Sequence, residues 1–210
     1  MKGFGTDEKE LIRVLCPKDA LQINVLRETY NRNERRDLLA DLKSELRGDF
    51  EEVMMGIVRG PLLQDCHHLR ESMKGMGTVE EGLTDVLCGR NNADIAAIKA
   101  AYQATYKRSL ENDLRGDLSM KTEQHFMMIV AGNRAPQSAL VDQQRVEADV
   151  TEIYNATDGK MGTDEIKVCE IFTHRNDDQL RAIAYEYKRR YTRDLETVVI
   201  SVSSSHAISR

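Results

Sequence analysis

The sequence predicts an all-α protein assembled from tandem helical repeats, and three observations lead to that reading. The first is composition: 40% of the 210 residues are hydrophobic and 31% charged, with only three prolines and no tryptophan. Alanine, leucine, glutamate, arginine and lysine dominate, and these are good helix formers. The second is an internal repeat. Met1-Lys2-Gly3-Phe4-Gly5-Thr6 returns as Met73-Lys74-Gly75-Met76-Gly77-Thr78, an offset of 72. A looser copy, Lys160-Met161-Gly162-Thr163-Asp164-Glu165, lies 157 residues after the first. The third is that apolar positions keep the same register. Ile23, Leu26 and Tyr30 map onto Ile95, Ile98 and Tyr102, then onto Leu180, Ile183 and Tyr187. Their i, i+3, i+7 spacing marks one face of a helix.

Each element follows from that register. The glycine loop opens a unit, with Thr6, Thr78 or Thr163 as N-cap of the next helix. In the second unit Thr78-Val79-Glu80-Glu81 has the form of a capping box. A helix over residues 7–15 carries Leu11, Val14, Leu15 and Cys16, which return as Leu83, Val86, Leu87 and Cys88. Asp19 opens the next helix, to about residue 31. Residues 34–45 and 49–58 form two more, and Arg59-Gly60-Pro61 breaks the chain before a leading helix over 62–72. The third unit has its leading helix over 146–156, after a longer connection spanning 132–144. The expected division is therefore a first repeat over 1–61, lacking its leading helix, a second over 62–134, a connector over 135–146, and a third over 147–210. The C-terminal part of the third is degenerate.

Charge and cysteine content exclude several functions. The formal net charge is −5, from 35 acids and 30 bases, which is the opposite of a nucleic-acid footprint. No stretch approaches the roughly 20 apolar residues of a membrane-spanning helix, and residues 1–8 carry no apolar signal region. The four cysteines, Cys16, Cys66, Cys88 and Cys169, form no Cys-x-x-Cys pair and read as reduced thiols. No nucleophile motif is present, so the chain reads as a non-enzyme. A cytoplasmic protein fits these features.

The repeated loop carries the chemistry. Calcium takes six to eight oxygen ligands at about 2.4 Å, with carboxylate for charge balance. A glycine-spaced turn can direct successive carbonyls at one point, because glycine accepts φ values closed to other residues. The carbonyls of Met1, Gly3 and Gly5 form one such set, and those of Met73, Gly75 and Gly77 a second. Forty residues after Gly5 stands Glu45, and forty after Gly77 stands Asp117. Three carbonyls and a bidentate carboxylate leave about two positions for water or a lipid phosphate. A P-loop is excluded, since Gly-x-Gly-Thr lacks the Gly-Lys-Ser/Thr element and follows no strand.

A Met-Lys-Gly-Xaa-Gly-Thr loop with an acid downstream, in a repeat of 72 residues, resembles the annexin family. Segments such as Asp41-Leu42-Lys43-Ser44-Glu45-Leu46 and Gly48-Asp49-Phe50-Glu51-Glu52-Val53 are similar to annexin first repeats, and the resemblance covers essentially the whole chain. It implies tandem five-helix repeats in a slightly curved disc, truncated to repeats one to three, with the fourth absent from this chain. It also implies Ca²⁺-dependent binding to anionic, phosphatidylserine-type membranes, with Lys2 and Lys74 on lipid head groups and Thr6 and Thr78 adding hydroxyl contacts. The third loop departs from the pattern: lysine stands at the first glycine position, and forty residues after Gly162 comes Val202. Thr157, Lys160 and Gly162 still offer carbonyls, but without an acid the site is expected to be weak or absent, and Asp158 substitutes only if the loop rearranges. The rival reading is a helical-repeat scaffold whose ligand is a protein partner and whose calcium is only modulatory.

Overall fold

A computed structural model of the chain describes residues 6–75, 77–118, 120–158 and 163–200. The described residues are all-α, with no strand. The chain falls into two compact units, Met1–Val86 with Ala97–Arg108, and Leu87–Ala96 with Ser109–Arg210.

The first unit contains α1 (Glu8–Leu15), α2 (Ala20–Glu34), α3 (Leu38–Glu45) and α4 (Gly48–Ser72). Nearly all of α5 (Glu80–Leu87) and residues 97–106 of α6 (Asn92–Tyr106) also belong to it. Helices α1, α2 and α3 each start at an aspartate cap. Asp7 accepts from the Glu10 N–H at 3.0 Å, and Asp19 and Gln22 cap α2 reciprocally at 2.8 and 3.1 Å. The cap of α1 is therefore Asp7 and not Thr6, because the carboxylate is placed to take the N3 donor. By the same margin α5 begins at Glu80, two residues past Thr78.

Two further boundaries differ from expectation. Helix α2 runs to Glu34 and ends where Arg35 adopts a left-handed φ of 52°. The next helix starts only at Leu38, where Asp37 caps Ala40 at 2.8 Å and the Asn31 side chain accepts the Leu38 N–H at 2.9 Å. No Pro or Gly marks that break in the sequence. Helix α4 is two helices joined at Gly60, whose φ of 71° and ψ of 169° are non-helical. Pro61 restarts the chain there, and Arg27 donates to the Val58 and Arg59 carbonyls at 3.1 and 3.0 Å. These are end carbonyls left without intrahelical partners. The core of this unit gathers Leu15, Ile23, Leu38, Leu42, Leu46, Met54, Met55 and Val58.

The second unit carries α7 (Leu110–Asp117), α8 (Met120–Val130), α9 (Gln143–Thr157), α10 (Glu165–His174) and α11 (Asp177–Tyr191). Helix α9 lies against α10 and α11, and α10 also meets α8. The core brings Val146, Val150 and Ile153 of α9 against Ile171, Ile183 and Tyr187, with Leu195 and Val198. Asp149, 3% exposed, is held by Arg175 through two bonds at 2.6 and 2.8 Å. Helix α10 is capped by Asp164, which accepts from Lys167 at 3.2 Å, rather than by Thr163. The connector is held by named bonds: Asn176 donates to the Pro136 and Ala139 carbonyls at 3.0 Å each, and Asp142 and Gln179 bond reciprocally.

Candidate metal centre

The first repeat brings its loop end onto the downstream acid. Glu45 is the last residue of α3, where unpaired carbonyls concentrate negative potential and favour a cation. The Thr6 hydroxyl lies 3.2 Å from Glu45 Oε2 and 3.3 Å from the Glu45 carbonyl oxygen. Two residues 39 apart in sequence thus meet at one exposed point, with Glu45 facing solvent. Met1, Lys2, Gly3 and Gly5, the other expected members, lie outside the described residues. Thr6 is free for this contact because Asp7 supplies the helix cap.

The second loop shows why glycine is needed. Helix α4 closes at Met73, whose N–H reaches the Leu69 carbonyl at 3.3 Å. Gly75 and Gly77 then take φ values of 114° and 102°, a region that residues with a Cβ rarely enter. No neighbouring heavy atom lies within 4 Å of a Cβ built at either, so the loop is open on that side. The Val79 N–H closes it by bonding the Ser72 carbonyl at 2.9 Å. Met73 is buried at 6% exposure, which leaves its main chain and not its side chain as the donor. Thr78 is half-buried beside the closure. Lys74 Nζ sits 3.3 Å from both Glu71 carboxylate oxygens in an exposed pair. Such pairs contribute about 0–1 kcal/mol, so the ammonium is readily released to another anion. Asp117 is the last residue of α7 in the other unit, half-buried, in the same helix-terminal position as Glu45.

The third loop is built differently. Its closing bond runs from the Asp164 N–H to the Ala156 carbonyl at 2.8 Å, one residue longer than in the second repeat. Thr157 ends α9, with its hydroxyl spent on the Ile153 carbonyl at 2.8 Å. Lys160, Gly162 and Val202 lie outside the described residues. Asp158 is already engaged: its Oδ2 accepts from Arg193 at 2.6 Å and from the Tyr187 hydroxyl at 3.3 Å. Burial, followed by the proximity of Asp158, pushes the Tyr187 phenol above its usual range. Sequence reasoning left Asp158 as a spare ligand and missed that Arg193 claims it. The signal was present, since Arg193 is the counterpart of Arg36, which binds Asp41 at 2.6 Å.

Among the described residues no three His, Cys, Asp or Glu side chains are gathered as a metal cluster. A cation beside a single carboxylate draws its remaining oxygens from main-chain carbonyls or water, and the second loop is open on its glycine side. Cys66 in Cys66-His67-His68 is no ligand candidate. Its thiol is buried against the Ile98 carbonyl at 3.6 Å, and burial pushes it up to about 11. No described helix is long and apolar enough to cross a membrane.

These features define an all-helical repeat protein in which the end of the first loop meets the acid that closes α3. The chain belongs to the annexin family: the Annexin family model matches residues 1–57, 64–129 and 148–207. It is 40% identical over 205 residues to annexin C1 of Cryptococcus neoformans, covering 98% of this chain and 43% of that protein. It is 38% identical over 204 residues to annexin A4 of Bos taurus, covering 97% of this chain and 64% of the relative. Its structure resembles that of annexin III with a TM-score of 0.89 at 32% identity, over 95% of this chain and 62% of the other. Chicken annexin V in complex with Zn²⁺ is similar with a TM-score of 0.83 at 32% identity, over 94% and 62%. The chain thus spans less than two thirds of the length of these relatives.

Proposed function

We propose that this chain binds anionic, phosphatidylserine-type membranes through Ca²⁺ held at the first two repeat loops, without enzymatic activity, as a peripheral protein of the cytoplasm. The observation that carries the reading is the meeting of Thr6 with Glu45, which joins a glycine loop to the acid forty residues beyond its last glycine. The carbonyls of Met1, Gly3 and Gly5 with Glu45 form the first set of ligands. Those of Met73, Gly75 and Gly77 with Asp117 form the second. Lys2, Lys74, Thr6 and Thr78 border the lipid head group. When bound, calcium supplies the divalent charge that links protein oxygens to a lipid phosphate. Two ions bring the formal −5 to about −1, which removes most of the repulsion from an anionic bilayer. Thr157, Lys160 and Gly162 form at most a weak third site, since Asp158 is committed to Arg193. We read the chain as three repeats over 1–61, 62–134 and 147–210, with a connector over 135–146.

Co-sedimentation with phosphatidylserine vesicles, with calcium and with excess chelator, tests this reading on the parent chain and on Glu45→Gln/Asp117→Asn. The parent pellets only with calcium and the double variant stays in solution. Equal pelleting by both proteins would move the chemistry away from these acids, towards the third loop or a protein partner.

A further inference from the structure

Four non-glycine residues among those described have a positive φ: Arg35, Lys107, Thr192 and Met120. The first three occupy one repeat position, separated by the offsets of 72 and 157, and all are polar and exposed. Met120 stands apart. It opens α8 at φ 50°, three residues after Asp117, and is 82% exposed.

Its counterpart in the first repeat is Gly48, seventy-two residues earlier, with φ 62°. The helix ends before them match: Leu46 and Leu118 cap the preceding helices at φ −98°, ψ 161° and φ −97°, ψ 161°. Each N–H bonds the carbonyl four residues back at 2.9 Å. The turn suits glycine, because a left-handed φ places Cβ against the following carbonyl. A Cβ built on Gly48 meets nothing within 4 Å, so a side chain at this position projects into open space. In the second repeat the position is filled by a long, flexible apolar side chain, which adds backbone strain and gains no packing. Next to Met120, Lys121 Nζ pairs with Glu165 Oε2 at 2.8 Å and ties the first turn of α8 to α10.

An exposed methionine alone signifies little, since folded surfaces carry many apolar atoms; Leu140 is 93% exposed in the connector without any such φ. Strain and exposure together at one residue point to a ligand absent from the isolated fold. The occupant is a lipid bilayer: methionine conforms to irregular apolar surroundings, and Asp117 lies three residues away. We propose that Met120 is an apolar anchor of the second repeat, entering the boundary between head groups and acyl chains when the Asp117 loop engages lipid. This rests on the membrane-binding reading above and refines it, giving the second repeat a hydrophobic contact that Gly48 denies the first.

The test uses phosphatidylserine/phosphatidylcholine vesicles, with calcium and with excess chelator, and compares the parent, Met120→Gly and Met120→Trp. Met120→Gly relieves the strain, so it melts at or above the parent temperature while binding vesicles about tenfold more weakly, the loss expected for one apolar side chain withdrawn from lipid. The chain has no tryptophan, so Met120→Trp is a sole indole reporter. Its emission moves to shorter wavelength with calcium and vesicles, is quenched by brominated acyl chains, and reverts with chelator. Parent-like affinity in Met120→Gly, or an indole that stays water-exposed while the protein pellets, overturns the anchor and leaves calcium-dependent binding standing. A parent chain that never pellets overturns both.

Discussion

The first and third repeats solve one problem with acids from different places, and the difference decides which loop is available to a ligand. In the first, Asp41 of α3 accepts from the Tyr30 hydroxyl at 2.8 Å and from Arg36 at 2.6 Å, which fastens the end of α2 to α3. In the third, the counterpart of Asp41 is Val198, and the matching Tyr187 and Arg193 turn to Asp158. The loop acid becomes a strut and ceases to be a candidate ligand. In the first repeat the strut comes from α3, and Glu45 is left beside Thr6. A second contrast concerns burial. Leu26 and Tyr30 are only partly buried and line an open apolar cavity of about 830 Å³. Their counterparts Ile183 and Tyr187 are fully buried beneath α9.

The largest effect should come from this second contrast. Ile183→Ala removes atoms from a closed core and is expected to cost about 3 kcal/mol. Leu26→Ala, at the edge of an open cavity, should cost about 1 kcal/mol. Urea unfolding of both variants measures the gap, and equal costs would show that the two faces are covered alike. The two struts give the next contrast. Asp41 is 8% exposed, and Asp41→Asn should cost about 2 kcal/mol by weakening a buried, doubly bonded acid. Asp158 has a 29% exposed side chain, so Asp158→Asn should cost under about 1 kcal/mol. Reversed magnitudes would mean that the third repeat depends on its loop acid more than the first depends on Asp41.

The smallest effect is acid sensitivity, and it belongs to the second unit. His125 occupies the position held by exposed Val53 in the first repeat. It is half-buried, its buried Nδ1 has no hydrogen-bond partner, and burial lowers its pKa from 6.5. Protonation is therefore easier in the unfolded chain than in the folded one. Stability from this source is complete above the ordinary imidazole range and falls as pH drops below about 6.5. Melting between pH 7.5 and 5 should show a loss under about 1 kcal/mol that His125→Leu flattens. An unchanged slope in His125→Leu would assign the acid sensitivity to other groups.

The helices and their core were legible because Ile23, Leu26 and Tyr30 recur in register, and periodicity reports directly which face is buried. The break at Gly60 and Pro61 was legible for the same kind of local reason, since both residues punctuate a helix. The break at residues 35–37 was not: nothing there is a helix breaker, and it depends on the Asn31 and Asp37 side chains taking main-chain donors. The caps of α1 and α10 are Asp7 and Asp164, one residue past Thr6 and Thr163, because each carboxylate is an equally good cap and takes the N3 donor. For the candidate site, a repeated spacing of forty residues assigns Glu45 to the first glycine loop, but the bond that Glu45 accepts from Thr6 is not legible, because the sequence offers Thr6 as a helix cap. The engagement of Asp158 required tracing Arg36 to Arg193, and the strained Met120 required tracing Gly48 through the same offset. A motif search on the loops alone passes over both.

The central claim is that the first two loops hold calcium through their helix-terminal acids and that the third does not at comparable strength. Equilibrium dialysis of radioactive calcium against the chain bound to phosphatidylserine vesicles counts the ions directly, for the parent, Glu45→Gln and Glu45→Gln/Asp117→Asn. The account predicts two ions retained by the parent, one by the single variant and none by the double variant. Two ions retained by the double variant, or a parent count that Glu45→Gln leaves unchanged, would contradict it.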